Sequence, residues 1–412
     1  MSRRLLNLSG PAAITAGLAS TALSGAVFLF LAPGLTSGSE FSGVALAWTF
    51  STVFGLGVAV PTEQLINRLA HASADLDGRR AFRNVRFAAG SAIVLSAFYA
   101  WQFVMPGQGL SFFLSVAVAI FGWVAAAQSR ALLLARGLQR KYAMSQVLEA
   151  TARLVLVVLA FAARDHAASL LYAAIGLPLA AAALWKTGRA WGDASSPRGW
   201  STSGVSREQT HFVLVALGYQ FCLSGPPVLL GVLVGARLPE TVGAFALASA
   251  LLRAPAVVAG GATVAALSDI SRLGHGDALG VRKRARQAQL QATGLTFAAS
   301  ALALLITPYV LPAIYGGPLA LRPVTYLSLA AGTVMAVWAG VMTTTLLALG
   351  HGAASAGAWA AGALALAVVA LVMPAEDGVL SLGLMVGPGT VVLVAVLMQE
   401  KFGIGLLRPT CN

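Results

Sequence analysis

Residues 43–60 read GVALAWTFSTVFGLGVAV, eighteen positions without a single charge. A run of this length is close to what an α-helix needs to cross the roughly 30 Å hydrocarbon core of a bilayer. The next stretch, VPTEQLINRL at 60–69, sets Glu63, Gln64 and Arg68 at the end of that run. Comparable apolar runs recur along all 412 residues, of which 58% are hydrophobic and only 10% charged. The mean hydropathy is +0.81. A soluble chain carries about 25% charged residues, so the sequence reads as a polytopic membrane protein. In such a chain a charge inside an apolar run is costly, and is therefore informative.

Twelve spans follow, near 12–33, 42–65, 87–105, 110–134, 144–162, 167–185, 210–235, 241–266, 289–311, 322–349, 353–373 and 379–398. The fold class is all-α. The first span follows MSRRLLNLSG, and it is too long for a secretory h-region, so it reads as an uncleaved span. One set of connections comprises the N-terminus, 66–86, 136–143, 186–209, 267–288, 350–352 and the tail. It holds 20 Lys and Arg, leaving aside Arg68 at its edge. The alternate set holds two, Arg164 and Arg237. The positive-inside rule then places both termini in the cytoplasm and the protein in the cell membrane. The net charge of +13 is mainly this topology signal. The Arg282, Lys283, Arg284 and Arg286 cluster suits anionic lipid headgroups, and nucleic acid is not an expected partner.

The organisation divides into 1–186, a linker at 187–209 rich in Ser, Gly and Pro, and 210–412. A shift of 200 aligns Leu23-Ser24-Gly25 with Leu223-Ser224-Gly225, Glu40 and Gly43 with Glu240 and Gly243, and Asp77 with Asp277. Two six-span bundles of one orientation are expected, related by a pseudo-two-fold along the membrane normal. That is a transporter architecture with the substrate path between the bundles.

Few residues are placed to carry chemistry. Arg253 lies about 18 Å from the outer end of its span, at the midplane, with no acid nearby on its own helix. It calls for a cavity, a remote partner or an anionic ligand, and is expected to face the lumen. Glu149 and Arg153 are four apart and share a helix face, either as a self-satisfied pair or as groups of the path. Arg130 and Arg68 read as cavity or gate cations, or as cations snorkelling to the interface. Gln64, Gln128, Tyr142, Tyr219 and Gln220 are candidates to line the same path. Arg253, Arg153, Arg130 and Gln220 are taken as the substrate-facing set, and Glu63, Gln64, Arg68 and Glu149 as gate or coupling residues. Pro61 and Ser224-Gly225-Pro226-Pro227 are expected to interrupt spans two and seven, and Pro255 with Gly260-Gly261 to kink span eight. Cys222 and Cys411 make no disulfide framework. Neither a metal-ligand spacing, a P-loop nor a nucleophile set is present, so no cofactor, no metal and no catalytic residue are expected.

The order of these motifs resembles a family. GLASTALSGAVFLFLAPGLTSGSEFSGVALAWTF (17–50), Pro61-Thr62-Glu63-Gln64, the Arg130, Arg136-Gly137, Tyr142, Glu149, Arg153 series, GAFALASALLRAPAVV (243–258) and LLALGHGAASAGAWAAG (346–362) resemble Wzx-type polysaccharide-unit flippases of actinobacteria. These belong to the multidrug/oligosaccharidyl-lipid/polysaccharide exporter superfamily. The resemblance implies movement of a polyprenyl-pyrophosphate-linked oligosaccharide between leaflets by alternating access, with membrane lipids and polysaccharide-assembly enzymes as partners. Lipid II export and small-molecule efflux are alternatives within the superfamily. A membrane polymerase or ligase is the alternative from another class, and the short outer loops speak against it.

Overall fold

The computed structural model describes residues 10–63, 65, 83–104, 107–135, 138–184, 202–234, 239–273, 278–315, 321–372 and 377–401. Among these there is no strand, and thirteen α-helices follow one another. They are α1 (Gly10–Leu31), α2 (Gly38–Phe54), α3 (Arg83–Phe103), α4 (Gly109–Ala135), α5 (Gln139–Ala162), α6 (Ala167–Leu184) and α7 (Thr202–Ser224). After these come α8 (Pro226–Val234), α9 (Pro239–Leu273), α10 (Ala278–Tyr315), α11 (Pro323–Ala348), α12 (Gly352–Val372) and α13 (Asp377–Lys401).

Seven described helices, α1, α2, α4, α5, α10, α11 and α12, are long and apolar enough to cross a membrane. The α7–α8 pair makes an eighth as one broken span, bent by 60°. With α3, α6, α9 and α13 beside them, the helices number the twelve spans expected. Apolar residues surround these helices, so propensity is a minor term. Hydroxyls inside them turn back on their own helix: Thr49, Thr62, Thr296 and Thr345 each donate to the carbonyl four residues earlier at 2.7–2.9 Å. That removes the cost of a bare polar group in hydrocarbon.

The chain forms two compact units that divide between Gln209 and Thr210, except that Val234–Gly243 and Ile314–Gly316 group with the first. Inside the first unit α1 packs on α5, and both α4 and α5 pack on α6. Gly17 makes the first crossing possible, because a Cβ there would sit 3.0 Å from the Ala143 Cα. Inside the second unit α11 and α12 both pack on α13. There Gly218 lies against the Trp359 Cβ, where α7 crosses α12. Counted as spans, pairs 4–6 and 5–6 of the first unit therefore recur as 10–12 and 11–12. Glu40 and Glu240, aligned by the 200-residue shift, both stand in the first turn of their helices. Glu40 closes a capping box with Ser37 at the start of α2.

Three expectations need correction. The 267–288 connection is largely helical, because α9 runs to Leu273 and α10 begins at Ala278. Hydropathy marks where hydrocarbon ends, whereas VRKRARQAQLQ is rich in good helix formers and carries the helix on. Likewise 202–209, read as linker, opens α7. Finally, Pro61 does not interrupt its span. The helix continues through Pro61 to Glu63 and absorbs the missing N–H one turn earlier, as a π turn at Gly55–Ala59.

Candidate functional site: two buried charge centres

The first centre lies within the first unit, and α5 carries most of it. Glu149 is fully buried, and its two carboxylate oxygens accept from different arginines. Arg130 Nη2, from α4, donates to Oε2 at 2.7 Å, and Arg153 Nη2 donates to Oε1 at 2.7 Å. Each guanidinium makes further bonds. Arg153 Nη1 donates to Ser24 Oγ on α1 at 2.9 Å, and its Nε to the Ala174 carbonyl on α6 at 3.4 Å. Its plane lies 5.0 Å over the Trp48 ring of α2. Gly25 is what admits that indole, since a Cβ there would meet it at 2.9 Å. Arg130 Nε donates to Ser145 Oγ at 3.3 Å.

Glu63 joins from the end of the α2 span. It is buried, feels the charge of Arg130, and takes a hydrogen bond from the Tyr142 hydroxyl. Glu63 is thus the second acid beside Arg130. α1, α4, α5, α6 and the α2 span meet at one cluster of buried ionisable groups. Such a cluster tolerates burial only while every partner is present.

Arg130 is therefore buried against Glu149 rather than snorkelling to an interface. Gln64 and Arg68 lie outside the described residues.

The second centre is Arg253 on α9, in the second unit. It is 7% exposed, and its Nη2 atom is buried with no hydrogen-bond partner. No described acid pairs with it. Its electrostatic neighbours are Tyr219 and Cys222 on α7. These two are three apart and share a face, and Gln220 takes the Ser224 hydroxyl at 3.4 Å. The α7–α8 break lies just past them. Pro226 and Pro227 cannot donate to the carbonyls of Cys222 and Leu223, and the Gly225 N–H is taken by Phe221.

Ser24, Trp48 and Ser145 were not singled out for these roles from sequence. Small hydroxyls and tryptophans in apolar runs carry no distinguishing pattern. Among the described residues no group of His, Cys, Asp and Glu could hold a metal ion.

No protein-family model matches the chain, and no curated protein sequence matches it. Solved structures do. An inward-facing multidrug-resistance MATE-family transporter of the MOP superfamily aligns with a TM-score of 0.68 over 95% of this chain and 96% of its own, at 13% identity. The lipid II flippase MurJ, in an inward closed conformation, aligns at 0.65 over 96% and 90%, with 10% identity. The eukaryotic MATE transporter AtDTX14 aligns at 0.60 over 96% and 98%, with 14% identity. The chain has the fold these transporters share.

Proposed function

We propose that this protein is a transporter without catalytic turnover. In this reading it translocates polyprenyl-pyrophosphate-linked oligosaccharides across the cytoplasmic membrane by alternating access, for cell-surface polysaccharide assembly. One observation carries the substrate class: among the described buried charges, a cation is left without an acid. The first unit's Arg130 and Arg153 are both bonded to Glu149, whereas Arg253 has no described acid beside it and its Nη2 has no hydrogen-bond partner. A guanidinium in low dielectric favours a doubly charged phosphate group, which its planar fork fits with two hydrogen bonds. A pump for organic cations would instead want an unpaired acid at that depth.

We assign the Arg130, Glu149 and Arg153 cluster, with Glu63 beside it, the gate or coupling role given to Glu63 and Glu149. Its five helices can change their mutual packing only by breaking it. The substrate headgroup, membrane lipids and the enzymes that build and polymerise the oligosaccharide are the proposed partners. Both termini are placed in the cytoplasm.

A second reading, export of lipid II or of small molecules, draws on the fold shared with MurJ and the MATE transporters. Cells depleted of the protein separate the readings. Flippase loss leaves lipid-linked oligosaccharide, protected from external glycosidase, to accumulate on the inner leaflet. Accumulation of lipid II or of a dye instead would replace the proposed substrate.

A further inference from the structure

Arg253 Nη2 is not alone in lacking a hydrogen-bond partner. Ser249 stands one turn before it on α9, is 1% exposed, and its Oγ is buried without a hydrogen bond. Residues four apart share a helix face, and a long side chain leans back over the preceding turn. Ser249 and Arg253 therefore lie on one face of α9, one turn apart. Most described buried threonine hydroxyls are satisfied within their own helix. The buried hydroxyls of Thr49, Thr62, Thr296, Thr333, Thr343 and Thr345 all return to the carbonyl four residues back. That bond is always at hand for a serine within a helix, and Ser249 does not make it. Thr293 and Ser300 on α10 also have unmet hydroxyls, but no unmet cation stands beside them on that helix.

We infer that Ser249 and Arg253 together form an oxyanion site of the phosphate class inside the second unit, with the Tyr219 and Cys222 face of α7 as its wall. A phosphate oxygen accepts from both a guanidinium and a hydroxyl, so one group satisfies both orphan donors at once. An apolar or cationic ligand satisfies neither. A carboxylate would meet the charge, but it offers fewer acceptor sites to a fork and a hydroxyl held one turn apart. The site deepens the proposed function, on which its physiological occupant rests, by naming the second residue that grips the headgroup. A buried unpaired donor is unfavourable, and the ligand recovers that loss at two atoms.

The test is titration of the purified full-length protein in detergent with inorganic pyrophosphate and with inorganic phosphate, read by calorimetry. Saturable pyrophosphate binding is expected in the parent. Arg253→Gln should abolish it, Ser249→Ala should weaken it about tenfold, the loss of one hydrogen bond to a charged group, and Ser249→Thr, which keeps the hydroxyl, should restore most of it. Thermal melting of each variant confirms that it folds. Binding unchanged in Ser249→Ala, or absent in the parent, overturns the site. If the parent binds no pyrophosphate yet transports lipid-linked oligosaccharide in vesicles, the site is wrong and the function stands. If it binds pyrophosphate through both residues but transports only other substrates, the site stands and the function falls.

Discussion

Two buried arginine systems in one chain behave oppositely, and single substitutions expose the difference. Glu149 is the sole described carboxylate bonded to Arg130 and Arg153. Glu149→Gln removes the carboxylate bonded to both buried guanidiniums, which should cost on the order of 3–5 kcal/mol. The melting temperature of the purified variant should fall accordingly; an unchanged melting curve would show that the cluster is not what holds those helices. Arg253→Ala removes a buried charge that has no described acid to lose. Its stability should stay within about 1 kcal/mol of the parent or rise, while transport disappears. Arg253→Lys should fold normally and transport poorly, because a point charge replaces a fork. The i, i+4 relation of Glu149 and Arg153 was legible from spacing alone. The link to Arg130, nineteen residues away across a turn, was not, because it depends on how α4 meets α5. The isolation of Arg253 was legible, since the sequence offers no acid near it on its own helix.

Breaks and glycines position these side chains. The α7–α8 break was readable, because two successive prolines have no N–H to give to the carbonyls four residues earlier. Replacing Pro226 and Pro227 with Ala restores two donors and should straighten the 60° bend. Thermal stability should rise and transport fall, as the Tyr219–Cys222 face turns relative to Arg253. Equal transport in the double variant would remove the break from the mechanism. The effect of Pro61 was readable only in part. Proline disturbs the acceptor four residues earlier, so the distortion emerges as a π turn at Gly55–Ala59 rather than at Pro61 itself. Gly55 lets the Trp123 ring lie against that turn, and an added Cβ would collide with the indole. Gly55→Ala should therefore lower stability by about 1–3 kcal/mol, measured as a lower melting temperature. The ends of α9 and α10 were misjudged because composition reports the membrane boundary, and a helix does not stop where the lipid does.

For the molecule as a whole, the all-helical class and the number of spans followed from apolar runs of about twenty residues. The internal repeat was faint in residue identities. It is clearer in packing, where helix pairs of the first unit recur in the second. Repeats preserve the shapes of crossings, such as small residues at Gly17 and Gly218, far longer than they preserve letters. Orientation rests on the 20-to-2 partition of Lys and Arg between the two sets of loops. Reporter fusions after Thr36, Gln108 and Asp377 should read external, and internal signals at two of the three would invert the topology. The substrate was not legible from fold or composition, because the same fold serves a lipid II flippase and multidrug transporters, MurJ and the MATE family. It turns on which charge is left unpaired. The most direct measurement is flipping in vesicles holding the purified protein and a fluorescent polyprenyl-pyrophosphate oligosaccharide, followed by the fraction of label that an external quencher reaches. The account predicts protein-dependent flipping that is abolished by Arg253→Gln, with no uptake of an organic cation. Flipping unaffected by Arg253→Gln, or cation uptake without flipping, would contradict it.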